Sequence, residues 1–446
     1  MLNIIQVFRN AIKVPELRMK LIYTMIIIVL YRLGANIPVP FIDTAIWQQL
    51  FSSQGDTIFG YLNILSGDAF SKATLFALSI TPYITASIVM QLLTIAIPAL
   101  EKLQKSGDDG RKKITQITRY VTVVLGIITG YGYYMTCRGY GVVTNRSFFA
   151  GLVIVVCYSA GSALIMWLGE KINENGIGNG ISLILFANII SRLPVWFSGM
   201  VKDMIDIITG NGTAASVLFQ LFKTVVIIAV ALVIVAFVVF MSYSERRIPV
   251  QYSKRMVGRK MYGGQNTYLP IKVNMSGVMP IIFASSMVSI PATIIRFISG
   301  GNTTPTGVLG VIYGIFKTSS PVYIIIEFAL IIAFSYFYIA ISFNPIEVSN
   351  NLKKNGGFIP GIRPGLPTTQ YITKILNKIV LIGGIFLGVV AVTPLIANAF
   401  ATMFSLGLGA IAFGGSSLLI VVGVAIETTR EIEAQMTMRH YKGFLE

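Results

Sequence analysis

The feature that most constrains this chain is a succession of apolar runs, each about as long as a bilayer is thick, with basic segments in alternate gaps. Ten such runs are read, at residues 21–38, 73–99, 119–136, 149–169, 181–198, 222–242, 275–297, 322–343, 378–399 and 413–429. Hydrophobic residues make up 54% of the 446 and charged residues 12%, with a mean hydropathy of +0.74, so the expectation is a polytopic membrane protein. The formal net charge of +17 takes its meaning from placement. With the N-terminus inside, 26 of the 35 Lys and Arg fall on inner segments and eight on outer ones, while Arg32 lies in the first run. That bias predicts both termini in the cytoplasm. The opening IIQVFRNAIKVPELRMK is basic and amphipathic with no small-residue cleavage site after it, so no cleavable signal peptide is expected.

One stretch departs from the plain pattern. From Thr57 to Leu100 the chain reads TIFGYLNILSGDAFSKATLFALSITPYITASIVMQLLTIAIPAL. It opens as a half-length apolar segment, Ile58 to Leu65, too short to cross, and Ser66, Gly67 and Asp68 break it. The uncharged run that follows carries Thr81, Pro82, Thr85, Ser87 and Gln91. Buried polar groups cost free energy unless paired or wetted. A re-entrant piece leading into a polar-flecked span has the form of an aqueous pathway. The other reading is a surface loop before an ordinary packed helix.

Residues 79–88, SITPYITASI, align with residues 277–286, GVMPIIFASS, at an offset of 198, so that Pro82 meets Pro280, Ile84 meets Ile282, Ala86 meets Ala284 and Ser87 meets Ser285. The two copies lie in runs two and seven. An odd number of spans between equivalents reverses their direction, which predicts an inverted repeat of two five-span halves, residues 1–210 and 211–446.

Two inner loops exceed what topology needs. Residues 243–274 are basic and interleaved with Tyr252, Tyr262 and Tyr268; residues 344–374 are rich in Gly and Pro and carry Lys353, Lys354 and Arg363. Long ordered loops are where function concentrates. These suit either RNA phosphates and an acidic protein surface or anionic lipid headgroups.

Among function classes, enzyme chemistry has nothing to work with: no HExxH, no GxSxG and no pair of intramembrane carboxylates. Cys137 and Cys157 read as packed thiols, and the lone His440 sits in the tail, so no metal or cofactor is expected. An inverted five-span repeat with Pro-interrupted helices is also a trait of secondary transporters. Ion coupling there usually shows as buried Asp, Glu or His. Apart from Arg192 and the charges near run ends, which are assigned to the adjoining segments, the apolar runs hold Arg32 and Glu327, with Glu327 near the outer end of its span. Uncharged polar residues along the path favour a conduit, with the transporter as the alternative.

The chain resembles the SecY family of protein-conducting channel subunits over essentially its whole length. The residues that carry the resemblance are ITPYITASIVMQLL, GDDGRKKITQITRY, MWLGEKINENGIGNGISLILFANII, YSKRMVGRKMYGGQNTYLPIKVNMSGVMPIIFASS, NPIEVSNNLKKNGGFIPGIRPG and FGGSSLLIVVGVAIE, in that order. The resemblance implies an all-helical fold of ten transmembrane helices in two inverted five-helix halves, hinged like a clamshell between spans five and six. It implies a plug at residues 58–71, including Ile58, Phe59, Leu62, Ile64, Leu65, Ser66 and Gly67. Further, it implies a constriction ring of Ile80, Ile84, Leu185, Ile189, Ile282 and Ile420, with Leu185 standing where many relatives have isoleucine. The lateral gate would set spans two and three against seven and eight, with Thr85, Gln91 and Ser286 in its lining. Arg259, Lys260 and Arg363 would dock a ribosome or the SecA motor, and the small subunits SecE and SecG would complete the complex. The implied substrates are signal peptides and secretory polypeptides, and the implied location is the plasma membrane of a bacterium, in contact with anionic lipid.

Overall fold

In the computed structural model of the protein, the described residues are 4–53, 63, 66–209, 214–252, 255–257, 260–262, 266–298, 307–317, 320–403 and 415–442. The first half holds α1 (Ile4–Lys13), α2 (Pro15–Gly34), α3 (Thr44–Ser53), α4 (Thr81–Ala96), α5 (Pro98–Lys105), α6 (Asp108–Gly139), α7 (Phe148–Asn175) and α8 (Gly180–Thr209). The second holds α9 (Ala214–Tyr243), β1 (Glu245–Tyr252), β2 (Arg255–Val257), β3 (Lys260–Tyr262), β4 (Asn266–Lys272), α10 (Met279–Ile298), α11 (Gly307–Ile315), α12 (Pro321–Ser342), α13 (Pro345–Lys354), β5 (Gly357–Phe358), α14 (Leu366–Met403) and α15 (Gly415–Lys442). A helix lies over each of the ten expected runs, namely α2, α4, α6, α7, α8, α9, α10, α12, α14 and α15.

Proline sets many of these starts. It occupies the first or second position of α2, α4, α5, α12 and α13, where its missing N–H costs nothing and its fixed φ suits the helix. Asn344 caps α13 as well, its side chain accepting from the N–H groups of Ile346 and Glu347. Among the described residues, five segments are long and apolar enough to cross a membrane: Phe148–Asn175, Gly180–Gly199, Gln220–Tyr243, Pro321–Lys354 and Leu366–Thr393. The pair α4 and α5 qualifies together but is bent by 101°.

That bend corrects the expectation of one span over residues 73–99. Residues 69–80 run through turns, with Ala73 at φ 47° and Ser79 at φ 52°, and helix begins only at Thr81. The turns are sheltered by protein, Phe70, Ala73, Thr74, Phe76, Ser79 and Ile80 all being buried. Non-helical backbone survives at membrane depth only in such a setting. At the other end Ile97 is extended (φ −109°, ψ 110°), because a residue before proline avoids the helical region.

The expected purely helical fold also needs correction. The two large loops build a small β platform, in which β1 lies between β4 and β5, antiparallel to both, while β2 and β3 form a separate hairpin. Its register places Arg246 opposite Ile271 and Ile248 opposite Leu269. Ile248 and Ile271 are buried against Ile339, Ile359 and Ile372, and Val250, two residues on, is buried as well, so period-two alternation, with one face apolar, selects strand here.

The halves meet along two seams. On one side α10 packs against α4 and α6; on the other, α8 packs against α9 and α15. Helix α1 lies on α15. Arg430 of α15 ties down the end of α9, donating to the Ser242 carbonyl at 2.9 Å and stacking 4.9 Å from the centre of the Tyr243 ring. Of the expected hinge between spans five and six, residues 210–213 lie outside the described residues.

Candidate functional site

Ile80 immediately precedes α4 and Ile84 follows one turn later; Leu185 and Ile189 repeat that spacing on α8. Residues four apart share a helix face. Ile282 comes from the first turn of α10 and Ile420 from the first turns of α15. The fold brings all six into one buried apolar cluster drawn from both halves, none more than 5% exposed. Phe283 and Phe334 extend it in an edge-on contact with ring centres 5.9 Å apart. A constriction of branched aliphatics excludes water and offers no hydrogen bond that a passing chain would have to match.

Beside the cluster, the seam between α10 and α12 carries polar groups. Ser285, Ser286 and Ser289 are buried, and Ser285 Oγ donates to Glu327 Oε1 at 2.7 Å. On α4, Gln91 Nε2 donates to Ser87 Oγ at 3.3 Å. Thr85 and Gln91 are half-buried and Ser286 is buried. Among the described residues no hydrogen bond joins Ser286 to either of them. Glu327, noted in the sequence only as a charge near the outer end of its span, is the polar anchor of this seam. The available signal was a lone carboxylate in an apolar helix together with a serine at the repeat position.

Of the expected plug, Ile58, Phe59, Leu62, Ile64 and Leu65 lie outside the described residues, whereas Ser66 and Gly67 are described. Ser66 and Gly67 belong to a tight knot of side-chain bonds. The Asn63 side chain donates to Asp68 Oδ1 at 3.0 Å and accepts from the Ser71 N–H at 2.9 Å, while Ser66 Oγ accepts from the Phe70 N–H at 3.0 Å. Four elements grip this knot. The Phe70 carbonyl accepts both Trp47 Nε1 of α3, at 3.0 Å, and the Tyr133 hydroxyl of α6, at 2.8 Å. Arg32 of α2 donates to the carbonyls of Ala187 at 2.7 Å and of Gly67 at 3.4 Å. Arg192 of α8 pairs with Asp68 at 3.1 Å. Arg32, the charge within the first run, thus binds backbone oxygens. In the sequence Asp68 stood out only as part of a break and Arg192 not at all, since nothing local links residues so far apart.

On the platform, Arg259 lies outside the described residues and Lys260 sits in β3 opposite Val257. Arg363 is exposed in the turn before α14, its carbonyl accepting from Thr368 Oγ1 at 2.9 Å. Pairing of Gln251 with Phe358 and of Tyr252 with Gly357 joins the two loops into one surface.

A family model described as SecY matches residues 74–429. The chain is 45% identical over 453 residues to a relative from Streptomyces galbus named "Protein translocase subunit SecY", covering 98% of this chain and 99% of that protein. Among solved structures, one described as a protein-conducting channel aligns with a TM-score of 0.63 at 16% identity, covering 96% of each chain. Sec61 in a canine ribosome–channel complex from the endoplasmic reticulum aligns with a TM-score of 0.61, also at 16% identity and 96% coverage of each chain. At such identity these structures speak to fold alone.

Proposed function

The chain belongs to the SecY family, and on that premise we propose that it is the channel subunit that moves secretory polypeptides across the bacterial plasma membrane and releases apolar segments sideways into lipid. The observation that carries this reading is the convergence of Ile80, Ile84, Leu185, Ile189, Ile282 and Ile420, from both halves, into one buried apolar cluster. The six form the constriction, with α4 and α6 facing α10 and α12 across the lateral gate. Residues 58–71 form the plug. Ten helices cross the membrane with both termini cytoplasmic, and residues 1–210 and 211–446 move as two halves.

The physical logic is economical. An aliphatic ring yields to side chains of any chemistry and closes behind them, because apolar contact is non-directional. A segment at the gate partitions by its own hydrophobicity: an apolar one leaves for lipid and a polar one continues through. Direction comes from outside this chain, from SecA or a ribosome docked on the platform, with Arg259, Lys260 and Arg363 as contacts. SecE and SecG complete the assembly, and anionic lipid meets the basic inner face.

Conductance of the Ile84→Asn, Ile282→Asn double variant in planar bilayers, without substrate, tests the reading. Each change removes a buried side chain worth about 1.5–3 kcal/mol of apolar contact and wets the constriction, so an unselective leak is expected. A current equal to that of the unmodified protein would mean these residues do not line the path.

A further inference from the structure

A cavity of about 580 Å³ opens between the end of α9, the segment that joins β4 to α10, and the second half of α15. Its floor adjoins the apolar cluster. Val278 stands four residues before Ile282 and Gly423 three after Ile420, so each lies one turn from a cluster residue on its own helix. The two floor residues touch: a Cβ on Gly423 would lie 2.6 Å from Val278 Cγ1. Whatever enters the cavity therefore rests one turn from the constriction, on the side of the β platform.

The walls hold acceptors that lack donors. Ser242, 6% exposed, lines the cavity, and among the described residues its hydroxyl makes no hydrogen bond. Asn274 Oδ1 is buried there without a partner. Buried polar atoms are normally paired, so these two point to an occupant. Along α15, Glu427, Glu431 and Glu433 bring three carboxylates to the same wall. Glu431 accepts from Gln435 Nε2 at 2.9 Å, and among the described residues none of the three forms an ion pair. Of the cavity's own cations, Arg430 is engaged by the Ser242 carbonyl and the Tyr243 ring, and Lys272 is exposed. The unmet need is for a positive group with several N–H donors, which describes a lysine or arginine side chain.

We propose that this cavity is a docking site for the basic flank of a polypeptide, holding its Lys or Arg at Glu427, Glu431 and Glu433 while the apolar segment beside it reaches the constriction. This rests on the channel reading above and gives the path a sign: positive groups are retained on the platform side. The tendency of Lys and Arg to stay on one side of a membrane protein then has a protein contact behind it.

The test uses the full-length protein in phosphatidylcholine nanodiscs and two labelled peptides, read by fluorescence anisotropy. One peptide carries a lysine-rich flank ahead of an apolar run; the other has glutamine in place of each lysine. The lysine peptide is expected to bind about tenfold tighter, the scale of a few partly exposed ion pairs. The combined Glu427→Gln, Glu431→Gln, Glu433→Gln variant should erase that difference and leave the glutamine peptide unchanged, which also reports that the variant is folded. Lys272→Gln removes a competing cation from the same cavity and should tighten the lysine peptide about twofold, while raised salt should shrink the difference between peptides. Equal affinity of the two peptides, or a difference that survives loss of the carboxylates, would overturn the site. Weaker binding of the lysine peptide to the Lys272→Gln protein would mark a site for an anion, such as a lipid phosphate, and overturn it too. If neither peptide binds, the site is likewise lost, and the Ile84→Asn, Ile282→Asn conductance then decides the channel reading: a leak keeps it, and silence removes both.

Discussion

The two copies of the internal repeat start alike and are approached differently. Ser79 and Gly277, which align in the repeat, are both left-handed, at φ 52° and 62°. Pro82 and Pro280 each take the second helical position, and Ile84 and Ile282 enter the same cluster. The likeness extends upstream: the carbonyls of Leu75 and Val273, again 198 apart, each nest against a helix glycine, Gly161 of α7 and Gly383 of α14. Beyond those carbonyls the copies part. The first is reached through the knot and turns of residues 66–80, gripped by α2, α3, α6 and α8. The second is reached straight from β4, with Val273 N–H bonded to the Ser244 carbonyl at 2.9 Å. The difference shows that the end of each copy that enters the shared cluster is under one geometric demand, while the approach to it is free to differ.

The shared seat breaks most expensively. Replacing Gly161 or Gly383 with valine drives a side chain into a backbone carbonyl that cannot swing aside. About 3 kcal/mol of stability is expected to be lost at each, read by thermal unfolding in detergent. Equal tolerance at both would remove the likeness. A smaller effect belongs to the first copy alone: Trp47→Phe takes one of two donors from the Phe70 carbonyl and should cost about 1 kcal/mol, with the Tyr133 bond persisting. If the same change left stability untouched, the outer grip would be ornamental. The smallest change in stability belongs to the second copy's platform. Arg363→Glu is exposed and should stay within about 0.5 kcal/mol of the parent, yet block export in cells, measured by accumulation of uncleaved precursor. Normal export would detach the platform from the motor or ribosome.

Much of this was legible in order of sequence. Apolar runs placed a helix over each expected span, because burial in lipid leaves the backbone few other solutions. The six aliphatics came from resemblance, and the fold gathers them from four separated segments. What escaped was short-range chemistry that reverses a long-range pattern. Ile97-Pro98 sits inside an uncharged run, and hydropathy alone does not register a proline's effect on its predecessor. The alternation around Ile248 and Val250 was visible but was read as loop, since β1 finds its partners in β4 and in β5, about a hundred residues away. Asp68–Arg192 and Ser285–Glu327 are pairs between elements, and periodicity carries no information about them.

The bend after Ile97 leaves α4 with 16 residues, about 24 Å of helix, whereas α10 across the seam has 20 and reaches about 30 Å. Val89, Leu93 and Ile95 on α4 are exposed to the surroundings. Acyl chains beside them must shorten to match a helix below the usual hydrocarbon thickness, and that mismatch costs a fraction of a kcal/mol per ångström. On the channel reading proposed above, the seam is thus also where the bilayer is expected to be thin. Membrane thickness, and with it the acyl-chain length of the host lipid, becomes a variable acting on this one helix more than on its longer neighbours.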